Sequence, residues 1–311
     1  MVLYTYEHYN NNSFSEVNRD FVSTEMYLKN KEKYHYDSFI FGSSRTVAYK
    51  TNSWKRHLPQ GSSPYIFSGN SETLFGIWSK IKYLGERGDT IKNALVMFCN
   101  DQTFSVNNDE GHLFRKDYRV SGESWAHFQF SFLKAYFAKG YFLEYIIKRF
   151  FHFVPYVKSK VESTKITYDN ISNDLFFTSL DNKIQADEEK YYVEMKSRFY
   201  RRTEEEKERV TCINDNIQLK MLNDIREVFM KFNTSYYIIN NPMYNQEKIN
   251  KKDFSVLQNI FGENRVFDFS GKNKFTEEYK NYYEASHFRP SVGDSVMNIV
   301  YQTSPCSKIA N

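Results

Sequence analysis

Two short stretches at opposite ends of the chain hold residues with the types and spacing for acyl chemistry. In "DSFIFGSSRTVAY" the apolar run Phe39–Phe41 halts at Gly42, and Ser43, Ser44 and Arg45 follow at once. A strand that delivers a serine to a strand-to-helix turn has this pattern, and so does an ordinary strand end filled by small residues. A nucleophilic serine needs a base, and the chain has 7 histidines: His8, His35, His57, His112, His127, His152 and His287. None pairs with another at metal-ligand spacing, so no metal is expected. Only His287 has a carboxylate placed to orient it, Glu284, three residues earlier in "NYYEASHFRPSVGD". In a loop or helical turn that carboxylate reaches the far ring nitrogen, fixing the tautomer and stabilising the imidazolium that forms when serine loses its proton. On spacing alone, a solvated polar turn before a last helix is the favoured reading.

The elements that must position these residues show at both ends of the sequence. Phe39–Phe41, Ser63–Asn70 and Asn93–Asp101 read as strands. Leu74, Ile77, Trp78, Ile81 and Leu84 recur at helical spacing until Gly85 and Gly88. The closing region repeats the alternation: a helix around Ile217–Phe232, a strand at Ser235–Asn240, a helix near Lys252–Phe261 and a strand at Arg265–Phe269. Further helices are expected at Thr276–Tyr283 and Val292–Tyr301. Strands alternating with helices predict an α/β fold, one three-layer domain with a parallel sheet of about five strands. Working groups then gather beyond the carboxyl ends of the strands. Residues 104–210 break the alternation and read as a helical insertion or cap. Its aromatic, basic segment Phe128–Lys160 carries Lys134, Lys139, Lys148, Arg149 and Lys158, a candidate docking surface for a membrane or a membrane-bound partner.

Composition narrows the function classes. The net charge of +4 comes from basic residues spread along the sequence, without the basic block of a nucleic-acid binder. "RRTEEEKERV", Arg201 to Val210, mixes signs and reads as a solvated helix face. The 3 cysteines, Cys99, Cys212 and Cys306, suit neither a disulfide framework nor a metal knuckle. No apolar run reaches the roughly 18 residues of a membrane span. Aromatic content is high at 18%, and most of it is expected in the core, although tyrosine-rich surfaces also suit stacking on sugars.

The blocks "FGSSR" and "YYEASHFRPSVGD" resemble the first and last blocks of the SGNH/GDSL hydrolase superfamily. The branch they resemble most contains the D-alanyl transfer protein of teichoic acid modification and the alginate and peptidoglycan O-acetyltransferases. This resemblance implies Ser44 as nucleophile, His287 as base and Glu284, in place of the commoner aspartate, as its partner. It implies an oxyanion hole made by the Ser44 N–H, Gly69 in "FSGNS" and Asn100 in "FCND", although the third block's usual glycine is Phe98 here. Asp268 is a reserve acid, and Arg45 is placed to bind substrate or to form a structural ion pair. The implied activity is O-acetyl transfer or acetyl-ester hydrolysis on a cell-envelope or secreted polysaccharide, with no cofactor. Members of this branch work outside the cytoplasmic membrane behind an N-terminal anchor, often beside a membrane-bound O-acyltransferase, so an extracytoplasmic, membrane-associated setting is the expectation. The rival expectation is a catalytically silent module that binds a glycan or such a partner.

Overall fold

Short apolar runs separated by amphipathic stretches give strands that bury both faces and helices that cover them. The computed structural model describes residues 17–137 and 166–303. In chain order the first part holds helix α1 (Arg19–Tyr34), strands β1 (Ser38–Gly42) and β2 (Pro64–Ser68), helix α2 (Leu74–Arg87) and strand β3 (Asn93–Phe98). The middle region adds helix α3 (Trp125–Tyr136), a hairpin of β4 (Thr167–Tyr168) and β5 (Leu175–Phe176), and helices α4 (Thr178–Ala186) and α5 (Glu188–Glu194). Helix α6 (Asn216–Lys231), strand β6 (Ser235–Asn240), helix α7 (Lys251–Phe261) and strand β7 (Val266–Asp268) follow. A hairpin of β8 (Tyr282–Glu284) and β9 (His287–Phe288) leads into helix α8 (Pro290–Thr303).

Strands β2-β1-β3-β6-β7 form one sheet in that order, and every pairing is parallel. The fold is therefore α/β, with a five-stranded parallel sheet between helical layers. Side-chain alternation divides the core. Phe39, Phe41, Val96 and Ile238 pack with Leu222 and Ile225 of α6 and Leu257 of α7. Ile40, Leu95, Met97 and Ile239 pack with Val292, Val296 and Val300 of α8 on the other face. From β1 the chain steps outward to β2, then crosses back to β3 and continues the other way. The strand order thus reverses between β1 and β3, which opens a crevice at their carboxyl ends.

Four charged side chains are sealed beside β2. Asp20 of α1, Glu72 after β2, Lys80 of α2 and Lys116 of the middle region are each at most 3% exposed. Lys80 Nζ lies 2.6 Å from Asp20 and also contacts Glu72; Lys116 Nζ lies 3.1 Å from Asp20 and 2.7 Å from Glu72. Burial, then the Glu72 charge, pushes the Asp20 carboxyl up, against the pull of both ammoniums. Burial draws Lys116 down, but the two carboxylates outweigh it and hold the ammonium above its usual range. Two positive and two negative charges leave the cluster neutral, as charges without water require.

Two expected helices take other forms. Arg201–Val210 is not helical; Glu208 forms a parallel bridge with Lys248 instead. A stretch with no apolar stripe has no face to pack, and propensity alone does not hold a short helix. Thr276–Tyr283 gives one helical turn (Lys274–Glu277), a 3₁₀ turn (Tyr279–Asn281) and then β8. Tyr282 and Tyr283 are buried in different clusters, the period-2 behaviour of a strand. Of the Phe128–Lys160 segment, the part beyond Phe137, with Lys139, Lys148, Arg149 and Lys158, lies outside the described residues.

Replacing one member of the sealed cluster strands its partners. Lys80→Ala is expected to destabilise the fold by about 3–5 kcal/mol, read from urea unfolding; a loss below about 1 kcal/mol would show that the charges reach water.

Candidate active site

The end of β1 is shaped by lack of room. A Cβ on Gly42 would lie 2.7 Å from Met97 Cβ of β3, so only glycine lets the two strands stay paired there. The chain then enters a 3₁₀ helix, Ser44–Ala48, whose cap is Ser43. Ser43 Oγ accepts from the Arg45 N–H and stands 3.8 Å from Cys99 Sγ, both serine and cysteine buried. Ser44 is half-buried at the crevice. Of the two serines the inner one is structural and the outer one is presented.

The imidazole arrives on a hairpin rather than on a helical turn. Glu284 and His287 are direct cross-strand partners, with Ala285 and Ser286 as the turn between them. Residues directly opposite in such a pair project to the same face, which is how three-residue spacing brings carboxylate and imidazole together. His287 Nδ1 contacts Glu284 Oε1, and the other carboxylate oxygen accepts from the Ser286 N–H at 2.7 Å. With Nδ1–H committed to Glu284, Nε2 is the acceptor for the Ser44 hydroxyl, and the two atoms lie 2.9 Å apart. Burial pushes the Glu284 carboxyl up, but the bond to His287 and the Ser286 contacts outweigh it and hold the group below its usual value. Phe177 meets the imidazole edge to face, with centroids 5.2 Å apart.

Several contacts fix the hairpin against the 3₁₀ helix. A Cβ on Gly293 of α8 would lie 2.0 Å from the Ala48 carbonyl oxygen, so the two backbones touch. Arg45 Nε donates to the Ser286 carbonyl at 2.9 Å, across the mouth of the site. Tyr191 and Tyr192 of α5 donate to the Tyr283 and Tyr282 carbonyls at 2.7 and 2.8 Å. Val47 and Tyr283 share a cluster with Leu175, Phe177 and Ile184, so the middle region buttresses both the serine's turn and the hairpin. Phe177, Tyr191 and Tyr192 escape sequence reasoning because nothing local marks an aromatic as a brace.

The remaining expected residues divide. The Ser44 N–H, at the start of the 3₁₀ helix, has no protein acceptor among the described residues. Asn100 stands at the carboxyl end of β3; its Oδ1 accepts from Thr103 Oγ1 at 3.3 Å, while its Nδ2 has no acceptor among the described residues. Gly69 does not fit its expected part. Its N–H donates to the Gly42 carbonyl at 3.1 Å, closing the end of the β1–β2 pair. Its missing side chain is explained by the sealed charges, since a Cβ would lie 2.3 Å from Asp20 Oδ2. Asp268 is not near the imidazole's carboxylate position; it accepts from Asn240 Nδ2 and pairs with Lys248 at 2.7 Å. Among the described residues no cluster of His, Cys, Asp and Glu is arranged to hold a metal ion. No protein-family model, curated protein or solved structure matches the chain.

Gly293→Ala is expected to push α8 off the 3₁₀ helix at a cost of about 1–3 kcal/mol, and to abolish the shift of the His287 imidazole NMR signals that Ser44→Ala causes in the parent. An unchanged melting temperature would refute the backbone contact. The lowered Glu284 value also carries a sign. A carboxylate whose folded pKa is depressed stabilises the fold above its ordinary value of 4.5, and that share is lost as pH falls through the folded value. Between about pH 6 and pH 3 the parent should therefore lose more stability than Glu284→Gln, measured by denaturant titration at each pH; equal losses would contradict it.

Proposed function

We propose that this protein is a serine-dependent acyltransferase or esterase acting on acetyl esters of a polysaccharide. The observation that carries the reading is the relay from Ser44 Oγ to His287 Nε2 at 2.9 Å and from His287 Nδ1 to Glu284. That arrangement lies at the β1–β3 crevice, where parallel α/β sheets place their chemistry. His287 takes the Ser44 proton as Oγ attacks the ester carbonyl. The imidazolium, held by Glu284, gives that proton to the departing alkoxide, which leaves as the alcohol, and the acyl group stays on Ser44. A water or a sugar hydroxyl then loses its proton to His287 and attacks the acyl carbonyl, and the returning proton restores Ser44. The Ser44 N–H and the Asn100 Nδ2 are the donors for the oxyanion, each typically worth about 3 kcal/mol.

The polysaccharide acceptor and an extracytoplasmic setting rest on the resemblance of "FGSSR" and "YYEASHFRPSVGD" to the O-acetyltransferase branch. Among the described residues no helix is long and apolar enough to cross a membrane, so the membrane association belongs to this proposal alone. The second reading, a silent module for a glycan or a membrane-bound acyltransferase, is favoured by one observation. The Gly69 amide that the catalytic branch would use is spent on the Gly42 carbonyl.

A fluorophosphonate reagent separates the two. The parent should be labelled and Ser44→Ala should not, and the parent should hydrolyse p-nitrophenyl acetate. Ser44→Ala, His287→Ala and the double variant should lose activity alike, by on the order of 10⁴-fold or more, because the members act as a unit. Glu284→Ala should lose less, since it orients and stabilises without touching substrate. A parent that neither labels nor turns over the ester leaves the silent module as the reading.

A further inference from the structure

The hairpin that carries Glu284 and His287 is also tied to a second feature. Tyr192, which holds the hairpin through the Tyr282 carbonyl, joins Phe199, Tyr244 and Tyr279 in lining a cleft of about 280 Å³. The rings stand edge to face: Tyr192 and Tyr279 at 5.2 Å and 83°, Phe199 and Tyr244 at 5.3 Å and 60°. Tyr200 continues the row at 5.2 Å from Tyr244 and is 51% exposed, while Tyr279 is 40% exposed. Because Tyr192 braces the hairpin that carries Glu284 and His287, the cleft and the serine–imidazole pair share one support.

We propose that this cleft and its Tyr200 rim hold a chain of pyranose sugars, the units flanking the one presented to Ser44. The last clause rests on the acyl-transfer reading; the binding itself does not. Pyranose rings offer C–H faces that dock on the negative face of an aromatic ring, and hydroxyls that need partners. Both are provided. Tyr279 and Tyr200 expose ring surface, while the buried Tyr192 and Tyr244 hydroxyls are spent on the Lys280, Tyr282 and Tyr200 carbonyls and fix the rings in place. Glu189 and Lys196 supply an acceptor and a donor at the lining. An apolar peptide would want a continuous greasy floor, whereas here charged groups alternate with the rings, Arg202 standing over the Tyr244 ring at 4.6 Å.

The experiment uses the full chain carrying Ser44→Ala, so that no acyl chemistry contributes and the outcome is independent of the triad. Cellohexaose, chitohexaose and xylohexaose are titrated in turn by calorimetry, with saturation-transfer NMR to detect sugar protons near aromatic rings. At least one should bind. Tyr279→Ala and Tyr200→Ala, both at exposed rings, should each weaken it by about tenfold or more, and Tyr279→Phe should retain it because the stacking face survives. If none of these sugars binds, or if both alanine variants bind as the parent does, the cleft is not a saccharide site, whatever the serine reagent reports.

Discussion

The touching of two backbones, Gly293 of α8 on the Ala48 carbonyl, is the constraint from which the site's geometry follows. Ser44 lies four residues before Ala48 on a rigid 3₁₀ turn, and His287 lies six residues before Gly293 on a short hairpin. With both elements locked at one point, the serine–imidazole separation has little slack. A methyl group at that contact would move the imidazole, not the serine, because the serine's own turn is held by the sheet. The 2.9 Å contact is thus a property of packing between the first strand's exit and the last helix. It does not depend on any flexible side chain reaching out.

The sealed charges beside β2 act on the same region from below. Asp20 and Glu72 occupy the space that side chains at Gly69 and Gly76 would fill. Gly69 is therefore accounted for by electrostatics in the interior, and its amide by the closing hydrogen bond of a strand pair. A glycine at a strand end has more than one physical cause, and here the structural cause is visible. On the proposed acyl-transfer reading, an oxyanion would meet donors that follow β1 and β3, the two strands that border the crevice, and none from β2.

The sheet was legible because its strands carry short, dense apolar runs: Phe39–Phe41, "NALVMF" and "SYYIIN" each read as buried strands and each is one. The helices α2, α6, α7 and α8 announced themselves by apolar spacing. Helix α1 did not, because its buried face includes Arg19, Asp20, Ser23 and Thr24, which no hydrophobic pattern counts as interior. The charged quartet was invisible for a related reason: Lys116 and Asp20 are 96 residues apart, and only folding pairs them. Ser44, Glu284 and His287 were readable from type and order, yet the hairpin beneath the last two was not. Tyr282 and Tyr283 are aromatic enough for either secondary structure, and tertiary burial on two sides decided for the strand.

The distance along the chain between Ser44 and His287, 243 residues, has a consequence for how the protein comes into being. Contacts of such high sequence separation close late, after the loop between them has been ordered. As synthesis proceeds, β1 and its serine emerge and fold among their neighbours while the residues of the hairpin are still unmade. During that interval the serine hydroxyl has no imidazole partner. The Ser44–His287 contact forms only when the last helix seats against the first turn, so a partly folded or truncated chain lacks it, and docking of the carboxyl-terminal unit completes the relay.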